Sequence, residues 1–300
     1  MVYAISPAWA QALASMESGL DKARFVECGL SQEKSIGWTE PRGEANGPLV
    51  ESIGGQLILK LMMEVKVLPG SVVARKAQDR LAHIEASTGR KPGKKETRDI
   101  KEDIRLELLP QAFTKQGSTA VWIDPKAKRL VIDAASTAKA DEVVTLLVKC
   151  LDGFAVTLVN TTTSPAVAMA QWLTTQEAPQ GFSVDRECEL KAADESKAVV
   201  RYSRHPLDIK EVQAHIESGK QPTRVAMTWN DRVSFVLTEG LVVKKVAFLD
   251  VVLEAASGGA TVGGSGKNDG FDADVAIATA ELAQLIPDLL LALDGEVLDG

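Results

Sequence analysis

Histidine, cysteine and aromatic residues are scarce in this 300-residue chain: three His, three Cys and 5% aromatics. The cysteines, Cys28, Cys150 and Cys188, are odd in number and widely spaced. No Cys-x-x-Cys pair exists, so neither a disulfide framework nor a zinc site is suggested. They are expected to be small buried hydrophobes in a reducing compartment. His83, His205 and His215 have no partners at metal-ligand spacing. His215 lies four residues after Glu211 and is expected to pair with it on a helix surface. So few aromatics are thin provision for the base-stacking platforms of single-strand readers. No run of 18 apolar residues occurs, so no membrane-spanning helix is expected. The segment Met1-Val-Tyr-Ala-Ile-Ser lacks a basic region followed by an apolar core, so a signal peptide is not expected and the cytoplasm is the expected location.

Catalytic motifs are missing as well. The stretch Gly263-Gly-Ser-Gly-Lys267 invites a phosphate-loop reading. That motif, however, needs Gly at the position of Thr261 and Ser or Thr at the position of Asn268. A flexible linker is the simpler reading. No Gly-x-Ser-x-Gly elbow appears. Asp272 and Asp274 could contribute to a divalent-cation site of a nuclease, but no third ligand can be assigned, and a solvated or capping role is the alternative. No cofactor and no metal are expected.

What is present is an ordinary globular composition, 45% apolar and 25% charged. The length suggests about two domains. Ser6-Pro7 followed by an alanine-rich segment predicts a capped helix that stops at Gly19. Residues 31–55 are expected to be loop with short strands, and 56–67 a strand. Residues 72–87 have helical periodicity, with Val73, Ala77, Leu81 and Ile84 on one face. A second helix is predicted from Lys94 to Leu109, ending at Pro110. Residues 119–124 and 129–133 have a hairpin signature. Helices are predicted at 141–151 and after Ser164-Pro165. Asp208 and Glu211 form a capping box for a helix over 209–218. Strands at 223–229, 232–238 and 241–249 suggest an antiparallel meander. Residues 257–268 hold five glycines and are expected to be a loop, with a helical segment from Phe271 to Leu293. Helices mixed with hairpins favour α+β with antiparallel sheets over a doubly wound fold.

The charge distribution is uneven. Net charge is −7, which by itself argues against nucleic-acid binding. Yet Arg90, Lys91, Lys94, Lys95, Arg98 and Lys101, with only two acids among them, give a local net charge of +4. At about 100° per residue, Lys94, Arg98, Lys101 and Arg105 fall within roughly 60° of one another on a helix. Ile100 and Ile104 form an adjacent apolar face. Lys76 and Arg80 add to the stripe at i, i+4. Such a stripe can track phosphates without reading bases. A solvated helical face is the alternative.

Several stretches resemble the recombination-associated RdgC family. They are Met1-Val-Tyr-Ala-Ile-Ser; Glu107-Leu-Leu-Pro-Gln-Ala-Phe113 followed by Ala120-Val-Trp-Ile-Asp124; Gln180-Gly-Phe182; His215-Ile-Glu-Ser-Gly-Lys220 and Ala226-Met-Thr-Trp229 within 207–248; and Phe271-Asp-Ala-Asp274 with Glu281-Leu. Their order and spacing hold along nearly the whole chain.

The resemblance implies a crescent-shaped, multi-lobed α+β protomer that pairs into a ring-shaped homodimer. It implies binding of double-stranded DNA with little sequence preference, competition with RecA for DNA, nucleoid association and no catalysis. The basic run Arg90 to Lys101 matches the family's basic arm. Phe113 matches an aromatic that helps close the ring, with ordinary core packing as the alternative. Gln111 stands where the family can place Arg. The family's short lead before Met-Val-Tyr is absent, and the segment before Phe271 is glycine-rich rather than acidic. On this reading 1–71 form the N-terminal part of a central body, 72–118 a basic helical arm, 119–206 the central part and 207–300 the C-terminal part. Other readings are an interaction protein acting directly on a recombination partner, or a metal-dependent nuclease.

Overall fold

The computed structural model describes residues 1–259 and 267–297, the side chains of 255–259 and 267–269 excepted. It is α+β, with two antiparallel sheets. The first contains β1 (Val2–Ile5), β2 (Lys34–Thr39), β3 (Val50–Ile53), β4 (Gln56–Val67), β5 (Phe113–Asp124), β6 (Arg129–Ile132) and β7 (Val156–Leu158). Its order is β2-β4-β5-β6-β1-β7, with β3 also pairing β4. The second contains β8 (Phe182–Ala192), β9 (Val199–Ser203), β10 (Lys220–Trp229), β11 (Val233–Thr238) and β12 (Val243–Phe248), in the order β12-β11-β10-β8-β9.

Helices α1 (Leu13–Asp21) and α4 (Thr137–Cys150) cover one face of the first sheet. Met16 and Leu20 of α1 and Val143 and Leu147 of α4 are buried there with Leu57, Leu59, Leu61, Val121 and Ile123. Alternation along β4 and β5 supplies that face, since strand residues two apart point the same way. The second sheet packs one face against α5 (Pro165–Thr175), α6 (Lys210–Glu217) and the C-terminal part of α8 (Lys267–Leu291). The α8 helix also packs through Ile286 and Leu290 on Ile58 and Trp122, on the opposite face of the first sheet. Arg129 and Glu296 form a two-point ion pair that ties the chain's end to β6. Helix α7 (Asp250–Gly259) follows β12.

Between β4 and β5 a tight turn is replaced by two helices, α2 (Gly70–Thr88) and α3 (Lys94–Leu108), then a short 3₁₀ turn at Leu109–Gln111. The two strands pair continuously from Leu57↔Ile123 to Val67↔Phe113. The helical pair therefore stands at the far end of a long ribbon. It has its own small core of Val73, Ala77, Ile100, Ile104 and Leu108, with Leu81 and Ile84 packed against it. Gly89, in the left-handed region at φ 71°, ends α2, as a C′ glycine does.

Several local expectations give way to tertiary contacts. The first helix begins at Leu13, not at Pro7. Ser6 N–H donates to Ala155 O at 2.9 Å, and Trp9 stacks edge-on against Phe154 at 4.8 Å, so residues 6–9 are held against the body instead. Gly19 does not stop α1. A Cβ there would lie 2.2 Å from Cys150 O, so this glycine lets α1 approach the end of α4. The capping box does not form: Ile209 is the N-cap of α6, with no side-chain cap bond. Glu211 is then one residue too early to complete the motif. The expected 257–268 loop is helical at 257–259 and 267–268, and its remainder, 260–266, lies outside the described residues. Asn230 and Asp231 are both at positive φ, within the three-residue connection between the paired Trp229 and Val233.

Candidate nucleic-acid interface

The predicted basic residues come together on the helical arm. Lys76 and Arg80 lie on α2, Arg90 and Lys91 in the connection, and Lys94, Lys95, Arg98, Lys101 and Arg105 on α3. All are exposed except Arg80, which is half-buried. Ile100 and Ile104 face α2, which turns the adjoining basic face of α3 to solvent.

These cations fall into two groups. Arg80 donates through Nη2 to both carboxylate oxygens of Glu107 at 3.0 Å, bracing α2 to α3. Arg90 donates to Glu96 at 2.8 and 3.2 Å, closing the connection, and this bonding holds the Glu96 carboxyl below the usual carboxylate range. Arg105 meets Glu33 at 3.8 Å, and Lys91 meets Glu85 at 3.9 Å. By contrast, Lys76, Lys94, Lys95 and Lys101 have no ion-pair partner among the described residues. Arg98 has only its neighbour Asp99, at 3.9 Å. Arg75 on α2 is a further exposed cation without such a partner, missed because it lies off the predicted stripe.

Lys94 and Lys95 occupy the first turn of α3, whose N-cap, Gly93, makes no side-chain bond. Cations near a helix N-terminus face the positive end of the helix dipole and are unfavourable there. The two lysines are therefore locally unfavourable there, an effect that Glu96 in the same turn offsets in part.

Phe113 begins β5 at the foot of the arm and is 87% exposed. It is not core packing within this chain. Residues 113–118 are all exposed, because β6 pairs β5 only from Val121 to Asp124. The opposite Val67 is also exposed.

The remaining candidates have structural partners. Asp272 accepts from Arg42 Nη2 at 2.6 Å, Arg42 Nε meets Glu51 at 3.0 Å, and the guanidinium lies 5.0 Å from the Phe271 ring centre. Asp274 is exposed. Among the described residues, no three His, Cys, Asp or Glu side chains are gathered to hold a metal. Cys188 is buried, and burial pushes its thiol up to about 11; Cys28 and Cys150 are only partly buried. His215 meets Lys220, with Nδ1 3.3 Å from Nζ, rather than the expected Glu211. No described helix is long and apolar enough to cross a membrane.

A family model described as "Putative exonuclease, RdgC" matches residues 1–296. The chain belongs to the RdgC family. Among RdgC relatives, "Recombination-associated protein RdgC" of Dechloromonas aromatica is 44% identical over 301 residues, covering 99% of this chain and 97% of the relative. The protein of the same name from Cupriavidus necator is 47% identical over 295 residues, covering 98% and 97%. That from Bordetella pertussis is 44% identical with the same coverage. RdgC membership makes this a recombination-associated protein, and the relatives' names describe no enzyme.

Proposed function

We propose that this protein binds double-stranded DNA without sequence preference, as a ring-shaped homodimer, and restrains recombination by competing with RecA for DNA. The observation that carries the reading is the exposed basic face of the arm: Lys76, Lys94, Lys95 and Lys101 have no ion-pair partner among the described residues, Arg98 has only its neighbour Asp99, and two of the lysines stand at an unfavourable helix end. A local conflict of this kind is expected at functional sites. Exposed cations that are not held by hydrogen-bonded acids are available to displace counterions from phosphates. The exposed Phe113 supports a contact between two copies near the arm, since a large apolar side chain open to water gains by burial. Nucleoid association and a cytoplasmic location follow from the same reading.

Duplex binding measured at 50 and 200 mM salt, with light scattering for mass, tests it. Neutralising about six to ten phosphates per dimer predicts a fall in affinity of roughly 10³- to 10⁵-fold over that range. Affinity that barely changes, or a particle of monomer mass on DNA, rejects it. Nuclease action is the competing reading suggested by the family description. Plasmid cut in Mg²⁺ or Mn²⁺ would favour it over non-catalytic binding.

A further inference from the structure

The second sheet carries a basic feature that no part of the arm explains. Glu189 of β8 stands directly opposite Arg201 of β9 on one side and Arg224 of β10 on the other. All three side chains lie on the face away from the core, because Cys188, Leu190 and Val225 fill the alternate positions. At about 4.8 Å per strand, the two arginines sit roughly 10 Å apart with the carboxylate between them.

The manner of pairing is specific. Arg201 donates to Glu189 through Nε at 2.5 Å, and Arg224 approaches the other carboxylate oxygen through Nε at 3.7 Å. Thr223 Oγ1 donates to Glu189 at 2.8 Å. The carboxylate is 12% exposed, while the two arginine side chains are 70% and 51% exposed. Arg201's hydrogen bond and Thr223 hold the Glu189 carboxyl below its ordinary range, keeping it anionic. Both arginines use the inner nitrogen, and among the described residues the terminal amino groups of the two guanidiniums make no hydrogen bond. A guanidinium presents those groups as a fork suited to a phosphate. Lys191 lies two residues from Glu189 on the same strand, exposed and without an ion-pair partner among the described residues.

We infer that Arg201 and Arg224, positioned by Glu189, form a second binding site for the DNA backbone, each receiving a phosphodiester. This rests on the duplex-binding reading above and adds a site away from the arm. Arg201 and Arg224 would touch phosphate, and Glu189 would act only by aiming them.

The test compares salt dependence in the full-length protein. The variant Arg201→Gln/Glu189→Gln/Arg224→Gln removes the forks together with the carboxylate they shield. Each phosphate no longer neutralised should reduce the fall in affinity between 50 and 200 mM salt by a factor of about 3.5. Removing both arginines from each protomer removes four contacts per homodimer and therefore predicts a reduction of about 150-fold, with thermal unfolding confirming a folded protein. If that variant fails to fold, Arg201→Gln alone removes two contacts per homodimer and should give about a 12-fold reduction. An unchanged salt dependence in a folded variant overturns the inference while wild-type binding still stands. Absence of duplex binding by the wild type would instead remove the reading on which it rests. In wild-type protein, the Nε–H resonances of Arg201 and Arg224 should shift on adding duplex. Shifts with inorganic phosphate but not with duplex would assign the forks to a free anion and overturn the DNA site.

Discussion

Arg80 and Glu107, 27 residues apart, meet across the arm through one guanidinium nitrogen and two carboxylate oxygens at 3.0 Å each. The pair braces α2 against α3 and takes Arg80 out of the free basic face. It is about half exposed, so its contribution to stability should be under ~1 kcal/mol. The variant Arg80→Gln/Glu107→Gln leaves the net charge unaltered. It should leave duplex affinity and its salt dependence unchanged while lowering the arm's stability slightly. A marked drop in affinity would place Arg80 against DNA.

Lys94 and Lys95 should trade stability for binding. Replacing Lys94 with Glu puts an acid where the helix dipole favours one, and should stabilise α3 by about 0.3–1 kcal/mol. The same change should weaken duplex binding. Thermal unfolding and gel shift on one preparation check both signs together. Extending the reversal to Arg98 and Lys101 should abolish binding without unfolding the protein, since all three side chains are exposed.

The arm should melt on its own. Ile104 is 1% exposed in a core of only five buried residues. Ile104→Ala should cost about 2–5 kcal/mol. Because this core is separate from those of the two sheets, hydrogen exchange should rise along α2 and α3 and stay slow in β4, β10 and β11. Uniform acceleration would show that the arm unfolds only with the whole protein.

Phe113→Ala should leave the stability of the protomer within about 0.5 kcal/mol of wild type, as expected for an exposed position. It should shift the monomer–dimer balance toward monomer in sedimentation at low protein concentration. An unchanged balance would remove Phe113 from the interface between copies.

Cys188 should be the slowest thiol to react. Its thiol is pushed up to about 11, so at pH 8 only about one molecule in a thousand carries the reactive thiolate. Alkylation of native protein followed by peptide mapping should find Cys188 unmodified until denaturant is added. Rapid labelling there would indicate that the second sheet's core opens readily.

Much of the arm was legible from sequence because its signals are local. The period of Val73, Ala77, Leu81 and Ile84 specifies α2, and the segregation of Ile100 and Ile104 from the lysines specifies α3. β4 is found at its expected bounds, and the meander of β10 to β12 within a few residues of them. β1, β7, β8 and β9 were not anticipated. The first two are short strands, and β8 and β9 alternate charged with small or apolar residues, so each depends on its neighbours for definition. The Ser6-Pro7 segment had every local mark of a helix start, yet packing against Ala155 and Phe154 outweighs that preference.

The sequence by itself determined the family, the α+β class and a concentration of positive charge in a chain of negative total, because motif order, periodicity and charge spacing are properties of short windows. Only the tertiary structure decided which of those charges are free. Arg105 meets Glu33 from 72 positions away, Arg80 meets Glu107 from 27, and Glu189 gathers Arg201 and Arg224 from separate strands. Phe113 is open to water because β5 outruns β6. Ion pairing and exposure depend on which distant segments are brought within a few ångströms, and that distance exists only once the sheets have paired.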